Sequence, residues 1–243
     1  MKILVVFGSH SDDPIALPLT EGLQSNYEAN YKVISAHRNP EELAEELSSN
    51  IYDCVIAGAG LAAHLPGVVA SKVSSPVFGI PVKSNFGGLD ALLSVQQMPF
   101  GVPVICTPPN EGGLLIPFIE SIKNKNAQEL RKIHIVSKSN DREEYVRKEK
   151  ERTLEFAGTK EIDLTIGTEL LEGHANIVWV ENPSDIRTTI LKDTPVLHVP
   201  LLDNDLKNDP AQGLVLFNWV EQGGLWIGVN NTRNALLSYL KFS

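Results

Sequence analysis

Short apolar runs separated by polar loops rich in glycine, serine and proline set the rhythm of this chain. Ile3 to Phe7 is a continuous apolar run that gives way to Gly8-Ser9-His10-Ser11-Asp12-Asp13-Pro14. An aspartate followed by proline starts a helix, because proline loses nothing in a first turn whose N–H groups have no internal partner. The pattern therefore predicts a strand, a polar loop, and a helix over Leu17 to Leu23. Tyr31 to Ser35 predicts a second strand. Asn39-Pro40-Glu41-Glu42 repeats the helix-start signal, with two acids where the helix dipole favours them. Further strands are predicted at Asp53 to Ala57, Pro76 to Val82 and Val102 to Thr107, and a helix at Leu114 to Ile122. Strands alternating with helices imply a parallel sheet covered on both faces. Ligands of such sheets bind at the C-terminal strand ends, where the loops after the first three strands lie.

Asn124 to Arg131 is polar and lacks a strand pattern, and beyond it the opening pattern returns. Lys132-Ile133-His134-Ile135-Val136 echoes Lys2-Ile3-Leu4-Val5-Val6, with Ser139-Asn140-Asp141 following where a serine-aspartate loop belongs. Ile177 to Val180 stands in the place of Val55 to Ala57, and Thr194 to Pro200 in that of Ser75 to Pro81. Ala235-Leu236-Leu237 parallels Gly113-Leu114-Leu115. The order and even spacing of these echoes predict a tandem duplication, with units at 1–126 and 127–243.

Composition narrows the function. Apolar residues make up 42% of 243, enough for an ordinary core. A net charge of −9 and a pI near 5.2 argue against a nucleic-acid partner, which needs a basic face to displace counterions. Cys54 and Cys106 each sit in an apolar run without metal-ligand spacing, and read as reduced core thiols. The opening residues read as a strand and not a signal peptide, and no apolar stretch approaches ~18 residues. No membrane association is expected, and the default compartment is the cytoplasm.

Three loops of the first half carry candidate chemistry. In Gly8-Ser9-His10-Ser11-Asp12, glycine lets the backbone approach a ligand, a helix start offers N–H groups to an anion, and Ser9, Ser11 and Asp12 add polar contacts. A turn with a helix cap explains the same residues. In Ser35-Ala36-His37-Arg38, Arg38 presents a fork suited to phosphate, and His37 can exchange a proton near neutral pH. A surface pair capping a strand is the plain alternative. In Gly58-Ala59-Gly60-Leu61-Ala62-Ala63-His64, small residues before a helix leave amides open to an anion such as a carboxylate, and His64 stands beside them. A structural histidine at a helix start is again the plain alternative.

Taken together, the blocks GSHSD (8–12), SAHR (35–38), AGAGLAAHLPGVVA (57–70), IPV (80–82) and GLDALLSVQQMPFGVPV (88–104) resemble the N5-carboxyaminoimidazole ribonucleotide mutase family, the bacterial-type catalytic subunit of phosphoribosylaminoimidazole carboxylase. The resemblance covers most of residues 1–122. It implies a flavodoxin-like three-layer αβα fold for each unit, an octameric assembly, and no metal or organic cofactor. By the same resemblance Ser9, Ser11 and Asp12 bind phosphate and ribose, with Gly8 and Ser35 beside them. Arg38 holds the phosphate, His37 is the acid/base, and Gly58, Ala59, Gly60 and His64 surround the imidazole and its migrating carboxyl group. The expected reaction is a mutase step in purine biosynthesis within a closed pocket. Relatives that use free CO₂ have lysine after the histidine and an Ala-Gly-Arg-Ser segment, whereas this chain has Arg38 and Gly58-Ala59-Gly60. Direct carboxylation and a non-catalytic nucleotide-binding scaffold stand as the alternatives.

Departures from the family pattern are concentrated at the end of the first unit and throughout the second. Many mutases have tryptophan at the position of Asp13. The late Asn-Ala-x-Leu-Leu signature has become Thr107 to Leu115 in the first half, yet survives as Asn234-Ala235-Leu236-Leu237 in the second. The second half has no glycine between Ser137 and Asp141, places Thr165-Ile166-Gly167-Thr168 near the SAHR position, and replaces the glycine-rich loop with Glu181-Asn182-Pro183-Ser184-Asp185. It reads as a degenerate copy kept for its surfaces. A chain with two copies predicts a homotetramer imitating an octamer, with four working sites and four blank ones.

Overall fold

A computed structural model describes residues 1–138, 143–188 and 191–242. The first half forms a five-stranded parallel sheet from β1 (Lys2–Phe7), β2 (Glu28–Val33), β3 (Cys54–Ala59), β4 (Val77–Pro81) and β5 (Ile105–Cys106). Its order is β2-β1-β3-β4-β5, the flavodoxin-like winding, in which the chain reverses direction across the sheet beside β1. Helices α1 (Asp13–Gln24), α2 (Pro40–Ser49), α3 (Leu65–Ala70), α4 (Leu89–Gln96) and α5 (Leu115–Ile122) cover the two faces. The central strands are apolar on both faces because both are covered: Ile3 to Phe7 and Cys54 to Ala57 are fully buried.

The second half repeats the arrangement with β6 (Lys132–Val136), α6 (Glu144–Thr159), β7 (Asp163–Gly167), β8 (Ala175–Val180), β9 (Val196–Pro200), α7 (Asn204–Asn208), α8 (Gln212–Val220) and α9 (Thr232–Leu240). Its order, β7-β6-β8-β9, matches the first four strands of the first sheet. The 225–227 stretch adds a short fifth rung, since His198 N donates to Leu225 O at 2.8 Å and Ile227 N to His198 O at 2.9 Å.

The two sheets meet edge to edge. Cys106 and Trp226 exchange both backbone hydrogen bonds at 2.8 Å, as residues of an antiparallel pair do. A local two-fold axis therefore passes between them, and the Phe118 and Tyr239 rings stack across it with centroids 6.4 Å apart. Related details recur on both sides. Asn110 and Asn230 take φ of 68° and 50°. Each donates its N–H at 2.9 Å to the proline carbonyl closing the neighbouring strand, Pro81 or Pro200. Where β4 has Gly79, β9 has His198, and packing compensates. A Cβ on Gly79 would lie 2.3 Å from Val95, while Gly224 leaves room for the His198 ring, which stacks on Trp226. Two apolar layers thus run through both halves. One lies under α1, α5, α6 and α9, the other under α2, α3, α4 and α8.

The departures from the sequence expectations have local causes. β2 spans Glu28–Val33 and not 31–35, because this edge strand exposes Glu28 and Lys32 and shows no apolar run. The predicted strand over 102–107 shortens to Ile105–Cys106, since Pro103 has no N–H to give a ladder. Helix α1 begins at Asp13, four positions before the predicted Leu17, and tolerates Pro14 in its first turn. The Ser139-Asn140-Asp141 echo lies outside the described residues.

Candidate active site

The loops after β1, β2, β3 and β4 surround one cleft of ≈ 570 Å³ at the C-terminal edge of the first sheet. Its lining includes Gly8, Ser9, Ser11, Asp12, Ser35, His37, Arg38, Ala59, Gly60 and His64, all of them expected from the sequence. It also includes Leu61, Val82, Lys83 and Ser84.

The first loop is held by its own hydroxyls. Ser9 Oγ accepts from Ser11 N at 3.3 Å and lies 3.0 Å from Ser11 Oγ, capping the 3-10 turn His10–Asp12 that leads into α1. Asp12 is buried, and burial pushes its carboxyl above the ordinary carboxylate value although the Ser11 hydroxyl bonds it at 3.0 Å. Gly8 has open space where a Cβ would stand, and its φ is not positive. No fold constraint therefore requires glycine here, and the open side lies at the cleft. Asp13, one of the departures from the pattern the resemblance implies, does not line the cleft. It accepts from Tyr31 Oη at 2.5 Å and meets His10 at 3.2 Å, and the Tyr31 bond holds its pKa low.

The second loop crosses to the first through Arg38, whose Nη2 donates to Gly8 O at 2.8 Å. Ser35 Oγ accepts from Arg38 N at 3.2 Å and so sets the turn that presents His37 and Arg38. His37 Nε2 lies 3.2 Å from His64 Nδ1, with the rings edge to face. Such a contact needs one N–H and one lone pair, so the bond persists only while at least one imidazole is neutral. The two histidines come from loops 27 positions apart in sequence, and their meeting was not readable from either motif.

The glycine-rich segment differs from its sequence reading. Gly58 and Ala59 belong to β3, and Gly58 is buried outside the cleft lining. A Cβ there would lie 2.1 Å from the Phe7 ring, which accounts for the glycine by packing alone. Beyond Gly60 the chain takes two left-handed residues, Leu61 and Ala62, at φ of 41° and 57°. Such a conformation is costly without a glycine and is held by its partners. Leu61 N donates to Ser84 Oγ at 3.1 Å, Ala62 N to Asp90 Oδ2 at 2.9 Å, and Ala63 N to Gly60 O at 3.1 Å. These amides, expected to stay open to an anion, are already engaged. Ser84 and Asp90 are thus positioning residues that the sequence did not disclose, although Asp90 falls inside the GLDALL block.

The rim is open in the single chain. His37, Arg38, His64, Lys83 and Ser84 are exposed, and so are the apolar Leu61 and Phe86 beside them. The closed pocket expected from the sequence is not formed by one copy.

At the related place in the second half, the loop after β8 satisfies itself. Asp185, buried, accepts from Glu181 N and Asn182 N at 3.2 Å each, while Asn182 caps the turn Pro183–Asp185. A side-chain carboxylate thus accepts from the loop's own backbone amides. His134, His174 and His198 are the second-half histidines. His198 is fully buried between Leu225 O and Arg187 N, and burial pushes its pKa down to about 4. Cys54 and Cys106 are buried free thiols, raised by desolvation, Cys54 to about 12. Among the described residues no group of three or more His, Cys, Asp and Glu could hold a metal ion, and no helix is long and apolar enough to cross a membrane.

Comparison with known proteins agrees with the first-half geometry. Residues 2–140 match the family model described as AIR carboxylase. An N5-carboxyaminoimidazole ribonucleotide mutase of Saccharolobus solfataricus is 48% identical over 110 residues, 42% of this chain and 68% of that protein. The mutase of Haemophilus influenzae is 47% identical over 108 residues, 42% of this chain and 66% of that protein. That of Methanocaldococcus jannaschii is 43% identical over 128 residues, 51% of this chain and 82% of that protein. The chain thus spans about two thirds of the length of the first two relatives.

Proposed function

The chain belongs to the AIR carboxylase family, and we propose that it acts as an N5-carboxyaminoimidazole ribonucleotide mutase of purine biosynthesis. One observation carries this reading. The His37–His64 contact, at 3.2 Å, stands in the same cleft as Arg38 and the Ser9–Ser11–Asp12 loop. A proton carrier, a phosphate-binding cation and a sugar-binding carboxylate are what a reaction on an aminoimidazole ribonucleotide needs.

In this reading Ser9, Ser11 and Arg38 hold the phosphate and Asp12 the ribose. Gly8 lets the backbone approach, and Ser35 sets Arg38. Ala59, Gly60 and His64 flank the imidazole, with Gly58 behind them. The N–C bond of the carbamate breaks and releases CO₂, and protonated His37 gives its proton to the exocyclic nitrogen. The electron-rich ring carbon then attacks the retained CO₂, and His37 removes the proton from that carbon to restore aromaticity. One proton enters and one leaves, so His37 ends each turnover as it began. Retention of CO₂ in a closed site supplies the proximity that makes recapture fast.

The first unit, 1–126, is the catalytic one and the second, 127–243, a degenerate repeat with a structural task. The shared strand order, the local two-fold axis and the self-filled 181–185 loop support this division. A single chain leaves the rim of the site open, and a neighbouring chain would cover Leu61 and Phe86, which are 66% and 83% exposed. Four chains, each supplying two units, would reproduce an octameric architecture with one working site per chain. Light scattering near the mass of four chains supports this assembly, and saturation at two nucleotides per chain overturns the blank second unit.

The activity itself is tested by turnover of N5-carboxyaminoimidazole ribonucleotide against aminoimidazole ribonucleotide plus bicarbonate. Formation of the 4-carboxy product from the first substrate is the expected result. Product from the second pair alone would mean a carboxylase, and product from neither would remove the enzymatic reading.

A further inference from the structure

Resting on the mutase reading above, we infer that Lys83 binds the migrating carboxylate and that Glu221, from the second half, holds Lys83 while the cleft is empty. The argument starts from charge. A carboxylated aminoimidazole ribonucleotide carries anions at both ends. Arg38 and the first loop serve the phosphate beside β1 and β2. The other end of the cleft, beside β4, faces the glycine-rich loop, whose Leu61, Ala62 and Ala63 amides are spent on Ser84, Asp90 and Gly60. With those three amides engaged, Lys83 is the lysine or arginine that lines this end and can supply a full counter-charge to a carboxylate there.

The distances suit this division. β1 and β4 stand two strand spacings apart, with β3 between them. At ~4.8 Å per spacing, the loops after them are roughly 10 Å apart, enough to seat phosphate at one end and a substituted imidazole at the other. His64, after β3, stands between these ends and meets His37 at 3.2 Å.

Lys83 is fixed at its base and loose at its tip. Its N–H donates to Asn110 Oδ1 at 2.8 Å, and Gly88, at φ 91°, passes so close that a Cβ there would lie 3.2 Å from the Lys83 Cα. Its Nζ instead meets Glu221 Oε1 at 3.0 Å, with the two side chains 46% and 40% exposed. Exposed pairs of this kind are weakly held, so a ligand carboxylate in the cleft can exchange for Glu221 at little cost. Glu221 ends α8, which packs against α4 across the local two-fold axis. The second half thereby reaches the rim of the first-half site without carrying a site of its own.

The test is calorimetric binding of two nucleotides, aminoimidazole ribonucleotide and its 4-carboxy product, to the full chain and to Lys83→Gln and Glu221→Gln. Lys83→Gln should weaken the carboxylated nucleotide on the order of tenfold or more, and leave the uncarboxylated one unchanged. Retained binding of the latter shows that the variant is folded. Glu221→Gln should tighten the carboxylated nucleotide several-fold, roughly as removal of a competing carboxylate does. Equal loss of both nucleotides, or no loss of either, in Lys83→Gln overturns the assignment. Weaker carboxylated binding in Glu221→Gln overturns its holding role. If the unmodified chain binds neither nucleotide, the mutase reading fails. If that chain binds and turns over while Lys83→Gln is unaffected, only the present inference fails.

Discussion

Two glycines at the end of adjacent strands should respond to alanine in opposite ways. Gly58 sits in β3 with the Phe7 ring against its Cα, and an added Cβ would stand 2.1 to 2.5 Å from three ring atoms. Phe7 is fully buried and edge-on to Tyr31 at 6.3 Å, so its ring has no free space to enter. Overpacking of this kind costs about 1–3 kcal/mol, offset in part by the ~0.5–1 kcal/mol a strand gains when glycine is replaced. A net loss of about 1–2 kcal/mol is expected for Gly58→Ala, or roughly 2–8 °C in Tm for a chain this size. The strain also reaches the site. Gly8 N donates to Gly58 O at 3.2 Å and Gly8 O accepts from Arg38, so turnover should fall with stability. Gly8→Ala meets nothing within 4 Å and needs no unusual φ. It should leave stability unchanged or raise it by about 0.4–1 kcal/mol through the unfolded chain. Its methyl group would enter the cleft, so nucleotide affinity should drop by about tenfold, near 1.4 kcal/mol. Urea denaturation and calorimetry on both variants read these quantities. A destabilised Gly8→Ala with normal affinity, beside a stable Gly58→Ala, would refute the assignment of one glycine to ligand approach and the other to packing.

His37→Asn should abolish turnover while nucleotide binding survives, and near-normal turnover would remove His37 from the chemistry. Arg38→Ala should weaken both substrate and product by about 1.5–3 kcal/mol, the worth of a charge-assisted hydrogen bond, and unchanged calorimetric binding would move the phosphate elsewhere. His198 is buried neutral, with its folded pKa about 4 against an ordinary 6.5, so the unfolded chain binds its proton first as pH falls. Its contribution is complete above pH 6.5 and is lost on descent towards 4, about 2 kcal/mol of it by pH 5. An NMR titration of the His198 ring should stay flat to pH 5, and a midpoint near 6.5 would contradict the burial.

What the chain disclosed in advance divides along a physical line. β1, β3 and β4 are buried on both faces, so each appears as an unbroken apolar run close to its observed bounds. β2 lies at an edge and mixes Glu28 and Lys32 with apolar residues, so its bounds were misplaced by a few residues. Local motifs located His37, Arg38 and the first loop, because loop-to-helix chemistry is written in consecutive residues. The His37–His64 contact, the Ser84 and Asp90 clamps on the 61–63 turn, and the Lys83–Glu221 pair each join distant segments. Their signal lies in the winding of the sheet, which no window of sequence contains. Gly58 shows the converse error: a glycine read as ligand-facing is required by a neighbouring aromatic ring.

The local two-fold axis gives the Asn234-Ala235-Leu236-Leu237 segment of the second half a structural task. Asn234 Nδ2 donates to Pro99 O at 2.9 Å, and its Oδ1 accepts from Gly101 N at 3.0 Å. Asn231 Nδ2 donates to Met98 O at 3.1 Å. These bonds cross from the second half to the 98–101 turn of the first, whose chain then enters β5 and pairs with Trp226. These part-buried bonds tie the two asparagines to the junction between the halves. The loop after β8 faces no such demand and closes on itself in the self-capping Asn182–Asp185 turn. Residues at the junction are constrained by both halves at once, whereas residues at the second set of strand ends answer only to their own loop. On the proposed division, that asymmetry would let the second unit lack a site while the pair keeps the architecture the first unit depends on.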